Sequence, residues 1–118
     1  MLGEVWTYIS NKPSDNLKKV RPILIIGNDS SNNLKFVDIH YVIISSSADC
    51  GKYDIYLNEE TAKKIGLDRN SVIKTTKIYT GPSSKLGCKV GVLPEEVKVR
   101  FINNYKEYQL NLIEKLSD

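Results

Sequence analysis

Residues 21–29 read RPILIIGND, and this stretch sets the expected fold. Four consecutive apolar residues, Ile23 to Ile26, predict a strand that is buried on both faces. Proline lacks an N–H and is tolerated best where a strand starts, so Pro22 predicts the beginning of this strand. Pro22 also restricts Arg21 to extended backbone, which directs the arginine side chain away from the strand's start.

Arg21 has two interpretations. An arginine side chain stays protonated and presents a fork of donors that matches a phosphate group, so an arginine on rigid backbone indicates a phosphate-binding site. Alternatively, Arg21 is an ordinary surface arginine beside the proline of an edge strand. These residues alone leave both interpretations open.

Short apolar or β-branched runs recur on both sides of this stretch, separated by turn-forming residues. The polar segments 10–19 and 28–33 predict loops, and Gly81-Pro82 predicts a turn. Besides the central strand, the predicted strands are Glu4–Ile9, Phe36–Ser45, Tyr53–Leu57, Ser71–Tyr79 and Lys85–Val90.

Two helices are predicted in the second half of the chain. Asn58 is a plausible N-cap for a short helix, and Gly66 is a plausible residue to end it. Pro94 suits the first turn of a terminal helix. Apolar residues at spacings of three and four give this helix one stripe, which predicts packing against the sheet or a partner subunit: Val97, Phe101, Tyr105, Tyr108, Leu112 and Leu116.

The elements together predict a mainly β fold, a small antiparallel barrel with one short helix and one C-terminal helix. No strand–helix alternation typical of a doubly wound sheet is present. With 118 residues, the chain is expected to form a single domain over residues 1–118.

Composition narrows the function classes. A formal net charge of +3 permits a local basic groove but does not by itself indicate nucleic-acid binding. No apolar run is long enough to span a membrane, and the N-terminus lacks the pattern of a signal peptide, so we expect a cytoplasmic protein. Cys50, Cys88 and the single histidine, His40, form no metal motif, and no metal or other cofactor is expected.

The order of several segments resembles the MazF/PemK family of toxin endoribonucleases from bacterial type II toxin–antitoxin modules. The resemblance covers nearly the whole chain. Its segments are GEVW at 3–6, VRPILIIGND at 20–29, ISSS at 44–47, GLDRNSVI at 66–73 and KVGVL at 89–93.

This resemblance implies an SH3-like barrel, a homodimer and metal-independent, sequence-specific cleavage of single-stranded RNA to 2′,3′-cyclic phosphate and 5′-OH ends. It also implies a cognate antitoxin whose acidic, disordered segment occupies the RNA groove. In the family, the arginine of the Arg-Pro pair and a hydroxyl residue ending the long strand act in catalysis. These positions match Arg21 and Ser45, with Ser46 as the alternative hydroxyl.

RNA binding is expected to draw on further polar residues. Those assigned to it are Lys19, Ser46, Ser47, Thr76 and Lys77, and other candidate lysines are Lys18, Lys52, Lys74 and Lys85. Aromatic side chains can stack on unpaired bases, and the candidates for that role are Trp6, Tyr8, Tyr53 and Tyr79. His40 lies within a predicted strand, where a packed or surface role is the favoured interpretation over acid–base catalysis.

Two alternatives stay open. The same barrel could serve as a non-catalytic binding module, such as a gyrase-poisoning toxin of the CcdB type, although that activity would need neither Arg21 nor Ser45. The chain could also be a degenerate member of the toxin family. Family members often have an acidic residue and glutamine where this sequence has Thr75-Thr76-Lys77, and that departure favours the second alternative.

Overall fold

The computed structural model describes residues 2–10, 19–28, 38–47 and 49–118. These residues form a six-stranded antiparallel sheet with the order β4-β5-β3-β2-β1-β6. Its strands are β1 (Glu4–Ser10), β2 (Lys19–Asn28), β3 (Asp38–Ser45), β4 (Ile55–Leu57), β5 (Ser71–Pro82) and β6 (Leu86–Val92).

The apolar run of β2 is buried on both faces, as the sequence predicts. Leu24 belongs to a core cluster between one face of the sheet and the two helices. Ile23 and Ile25 belong to a second cluster on the opposite face, with Tyr8 and Ile39. Because β2 separates two apolar clusters, none of these three residues can be polar without cost, which explains the unbroken apolar run.

The short helix α1 spans Glu59–Ile65 and follows β4. The Asn58 side chain accepts a hydrogen bond from the N–H of Thr61 at 2.8 Å, which confirms the predicted N-cap. Gly66 ends the helix with φ 108°, a left-handed conformation that glycine adopts without steric cost. Ala62 and Ile65 bury one side of α1 in the core beneath the sheet.

The terminal helix α2 spans Glu95–Ser117, with Pro94 as its N-cap. Its predicted stripe starts in the core, where Val97 and Phe101 are buried, and continues through the half-buried Tyr105 and Tyr108. The stripe leaves the core at its end, because Leu116 is 85% exposed. Only the first half of α2 therefore contributes to the core.

Three local predictions were wrong. Pro22 does not begin β2, because the strand starts at Lys19 and pairs with β1 from there through Pro22. Gly81-Pro82 is not a turn, because β5 continues through Pro82 and the chain turns in a 3₁₀ helix at Ser83–Lys85. Position 81 of this strand requires glycine, because a Cβ there would clash with the hydroxyl of Tyr8. The strand predicted from Tyr53 starts instead at Ile55, since the Asp54 side chain holds the preceding turn through the N–H of Gly51.

The predicted fold class, mainly β with a short and a terminal helix, is confirmed. The sheet is not a closed barrel, because no strand pair among the described residues joins β4 to β6. Neither α1 nor α2, the two α-helices in the described ranges, has the length and apolar character needed to cross a bilayer.

Candidate functional site

Arg21 lies at a point where β2 pairs with only one of its two neighbouring strands. On one side, β1 pairs with the start of β2, with Tyr8 opposite Arg21 and Thr7 opposite Pro22. On the other side, pairing with β3 begins only at Ile23, opposite Ile43. Because proline has no N–H to donate, a ladder that ends beside Pro22 loses no hydrogen bond there. The start of β2 and the end of β3 are thus not paired with each other.

Ser45 lies across this opening from Arg21. The paired register ends at Ile23 opposite Ile43, and Arg21 and Ser45 each lie two residues beyond that last pair. Side chains two residues apart on a strand share a face, so Arg21 and Ser45 belong to the face of Ile23 and Ile43. The two residues that the family resemblance assigned to catalysis therefore lie just beyond the end of the ladder, and both line one cavity.

A cavity of about 550 Å³ occupies this end of the sheet. The start of β2, the end of β3 and the loop between α1 and β5 contribute most of its walls. Within the described parts of the chain, its charged lining residues are two arginines and one aspartate. The polar and charged lining residues are Thr7, Arg21, Ser45, Ser46, Ser47, Asp68, Arg69 and Ser71.

The Ser45 hydroxyl oxygen accepts a hydrogen bond from the backbone N–H of Ser47 at 3.3 Å. A serine hydroxyl can accept and donate at the same time. The accepted bond fixes the oxygen at the end of β3, while the O–H remains a donor for a group in the cavity. Ser46 and Ser47 are exposed and line the same cavity.

A buried ion pair holds the chain segment that follows these serines. The Asp54 carboxylate accepts from the Lys74 ammonium at 2.7 Å and from the N–H groups of Gly51 at 2.9 Å and Thr75 at 3.1 Å. Lys74 also donates to the carbonyl of Asp49 at 3.0 Å. The Asp54 side chain is only 4% exposed. Lys74, a candidate for RNA contact in the sequence, therefore fixes the 49–54 segment against β5.

The other residues that the sequence assigned to RNA binding are Lys19, Thr76 and Lys77. The backbone of Lys19 pairs with Ser10, but its side chain lies outside the described residues, as does all of Lys18. Thr76 and Lys77 lie in β5 where its register against β3 shifts, between the partners of Val42 and Ile44. Neither is among the residues that line the cavity.

The aromatic candidates are also away from the cavity lining. Trp6 donates through Nε1 to Glu4 at 2.9 Å, and Tyr53 packs against Tyr108 with ring centroids 5.3 Å apart. Tyr8 and Tyr79 lie on either side of Tyr41, with centroid distances of 4.6 and 5.7 Å. Each of these side chains thus contacts a neighbouring side chain of the protein, although Tyr79 is 42% exposed.

Tyr8, Tyr41 and Tyr79 form a tyrosine cluster, in which the pKa values of Tyr8 and Tyr41 are raised. Burial raises the pKa of Tyr41 to about 12, and the adjacent Tyr8 adds to the increase. Burial also raises the pKa of Tyr8, although its hydrogen bond with Tyr41 opposes that effect. Both hydroxyls are therefore neutral and hydrogen-bonded at ordinary pH.

His40 is at the opposite end of β3 from Ser45. Its Nδ1 lies 2.9 Å from the hydroxyl oxygen of Thr80, and its backbone pairs with both Gly27 and Thr80. It does not line the cavity. Within the described ranges, no cluster of three or more His, Cys, Asp or Glu side chains could hold a metal ion.

Sequence reasoning did not single out Asp68 and Arg69 as site residues. They line the cavity from the loop that joins α1 to β5. The sequence shows only that residues 67–70 form a short connection between a helix ending at Gly66 and a strand beginning at Ser71, and the structure pairs that strand with the strand of Ser45. Such a short connection has to place residues 67–70 beside the end of β3.

Comparison with known proteins gives a consistent result. The family described as PemK-like, MazF-like toxin of type II toxin–antitoxin system matches residues 2–101. No significant match was found among curated proteins.

Two solved structures share the fold. The Mycobacterium tuberculosis toxin MazF-mt6 has a TM-score of 0.62 and 17% identity, over 86% of this chain and 93% of that one. An endoribonuclease in complex with its cognate antitoxin from Mycobacterial species has a TM-score of 0.61 and 16% identity, over 89% of each chain. The family match over 2–101, together with this fold, shows that the chain belongs to the PemK-like, MazF-like toxins of type II toxin–antitoxin systems.

Proposed function

We propose that this toxin is an endoribonuclease that cleaves single-stranded RNA, messenger RNA included, at preferred sequences. The reaction needs no metal ion and leaves 2′,3′-cyclic phosphate and 5′-OH ends. The observation that carries this proposal is the convergence of Arg21 and Ser45 on one cavity in a chain of this family. One similar solved structure is itself described as an endoribonuclease.

The chemistry suits these two residues. RNA supplies its own nucleophile, the 2′-OH next to the scissile phosphate, so the enzyme has to stabilise the charge that grows on the phosphate oxygens. A fixed guanidinium stabilises such charge well, and Arg21 is held in paired backbone. The Ser45 O–H donates a second hydrogen bond to a non-bridging oxygen. A guanidinium has five N–H donors and no acceptor, which makes it a poor general base, so we assign Arg21 charge stabilisation rather than proton abstraction.

The cavity also suits the substrate in size and charge. Its volume of about 550 Å³ falls within the range of small-molecule sites. That volume is large enough for one nucleotide and part of the next. Arg21 and Arg69 outnumber Asp68 in the lining, which favours a polyanion. We propose that the acidic, disordered segment of a cognate antitoxin uses the same charge to occupy this cavity and block RNA.

We further propose that residues 1–118 act as one domain, in the cytoplasm and as a homodimer. Helix α2 supports self-association, because several of its apolar residues are exposed: Val99, Ile102, Leu110, Leu112, Ile113 and Leu116. Light scattering should give about twice the chain mass of 13.4 kDa at micromolar concentration. A monomer at that concentration would contradict the dimer.

Incubation of the purified protein with single-stranded RNAs of varied sequence, in the presence of EDTA, tests the activity. We expect cleavage, with product 5′ ends that a polynucleotide kinase labels without prior phosphatase treatment. Arg100 lies on α2 outside the cavity lining, so Arg100→Ala provides a control that loses the same charge. Intact RNA after exhaustive incubation, or cleavage only with Mg²⁺, would contradict the proposed activity.

A further inference from the structure

We infer that Arg69 binds the RNA phosphate that flanks the one held at Arg21, so that the cavity has a second phosphate subsite. This inference rests on the proposed function. Arg69 lines the cavity from the α1–β5 loop, whereas Arg21 lines it from β2. The two arginine side chains therefore approach the same space from different elements.

The two arginines flank Ser45. At this end of the sheet, β3 lies between β2 and β5, and Ser45 pairs with Val72 of β5. Paired strands are about 4.8 Å apart, so the backbones of β2 and β5 are separated by about 10 Å where both ladders hold, at Val42 between Leu24 and Ile78. Arg69 precedes the first residue of β5 by two positions. An RNA strand that crosses the end of β3 at Ser45 thus meets a guanidinium on each side.

The loop that carries Arg69 is held at both ends. At its start, the N–H of Gly66 bonds to the carbonyls of Ala62 and Lys63, and the N–H of Leu67 bonds to that of Ala62 at 2.9 Å. At its end, the Ser71 hydroxyl donates to the carbonyl of Arg69 at 3.0 Å, and Ser71 is buried. The backbone of Arg69 is therefore fixed while its side chain is exposed.

Both arginine side chains are available to a ligand. Over the described ranges, neither Arg21 nor Arg69 makes an ion pair or a side-chain hydrogen bond. A guanidinium that no carboxylate neutralises can bind phosphate through two parallel N–H donors. Asp68 is the one carboxylate among the described lining residues, and it leaves the lining with a net positive charge.

The two arginines should differ in their kinetic effects. Arg21 acts at the phosphate whose charge grows during the reaction, so its loss lowers kcat. Arg69 binds a phosphate that does not react, and that interaction is equally strong before and during the reaction. Loss of uniform binding raises KM and leaves kcat unchanged.

The test uses a fluorescein-labelled 2′-O-methyl RNA, which lacks the nucleophile and cannot be cleaved. Its Kd is measured at several salt concentrations for the native protein, Arg69→Ala, Arg69→Lys and Arg100→Ala. Each phosphate contact with a single strand contributes a slope of about −0.7 to log K against log salt. Arg69→Ala should lower the magnitude of the slope by about 0.7 and raise Kd several-fold at low salt.

Two comparisons isolate the subsite. Arg69→Lys should retain the native slope because it keeps the charge, and Arg100→Ala should retain it because that charge is outside the cavity. A native slope for Arg69→Ala, or an equal change in Arg100→Ala, would overturn the inference. Cleavage of unmodified RNA is measured separately. A lowered slope in Arg69→Ala supports the subsite even if native protein cleaves nothing, which would refute only the endoribonuclease proposal.

Discussion

The two ends of β3 differ in how their neighbours pair, and this difference locates the site. At the His40 end, β3 pairs with β2 through Gly27 and with β5 through Thr80. At the Ser45 end, pairing with β5 continues to Val72, but pairing with β2 stops at Ile43. The His40 end is thus closed on both sides, and the Ser45 end is open toward β2. The cavity lies at the Ser45 end, where the ladder between β3 and β2 stops, and not at the end that carries His40.

The strongest test of this comparison is Arg21→Ala at the open end. Loss of one preorganised donor to the reacting phosphate should lower the cleavage rate by roughly 10²–10³-fold. Arg21→Lys should also be severely impaired, because an ammonium cannot reproduce the planar fork of a guanidinium. The measurement is the initial rate of RNA cleavage, with circular dichroism to confirm the fold.

His40→Ala at the closed end is the matched control. Its bond to Thr80 is local to the two strands, so we expect cleavage close to that of the native protein. Nearly native activity for Arg21→Ala, or a large loss for His40→Ala with the fold intact, would reverse the roles assigned to the two ends.

A smaller effect is expected from the hydroxyl at the open end. Ser45→Ala removes one donor to a charged oxygen, an interaction that contributes about 1.5–3 kcal/mol, so cleavage should fall roughly 10- to 100-fold. Ser45→Thr should retain most of the activity because it keeps the hydroxyl. The rates of these variants and of Ser46→Ala are compared on the same RNA.

Ser46→Ala distinguishes the two candidate hydroxyls. Ser45 and Arg21 each lie two residues beyond the last β2–β3 pair and so share its face, whereas Ser46 follows the last residue of β3. We therefore expect a minor effect from Ser46→Ala. The opposite result would assign the hydroxyl role to Ser46, and silence of both variants would remove a hydroxyl from the mechanism.

Local sequence signals predicted much of the fold because they act over short distances. The unbroken run of Ile23 to Ile26 predicted burial on both faces, and two core clusters confirm it. Asn58 and Gly66 predicted the two ends of α1, since a cap needs only groups within a turn of the chain. Gly81 misled the prediction because its role depends on a side chain of β1, the hydroxyl of Tyr8, which is distant in sequence.

The site was predictable only in part, for a similar reason. Pro22 marked Arg21 as a candidate phosphate-binding residue, but only the resemblance to the toxin family assigned catalytic roles to Arg21 and Ser45. Arg69 depends on the sheet order, which places β5 next to β3 and brings the preceding loop to the cavity. Lys74 could not be distinguished from a solvated lysine until its burial against Asp54 was known. Partners that are set by topology leave no mark in the local sequence.

The last and smallest prediction concerns Tyr41, next to His40 on β3. We expect it to cause a loss of stability at alkaline pH that does not involve the site. The folded-state pKa of Tyr41 is raised to about 12 from its usual value near 10. Between these two values the unfolded chain loses the proton while the folded chain retains it, so the free energy of unfolding falls as pH rises. Below pH about 10 this contribution is fully present. Tyr41→Phe removes it, so the stability difference between native protein and variant should shrink between pH about 10 and about 12.

Urea unfolding at pH values across this window measures the difference, with Tyr56→Phe on β4 as a variant outside the tyrosine cluster. Cleavage by Tyr41→Phe at neutral pH should match that of the native protein, because Tyr41 does not line the cavity. A stability difference that stays constant across the window would show that the Tyr41 hydroxyl is not held in its neutral form by the fold.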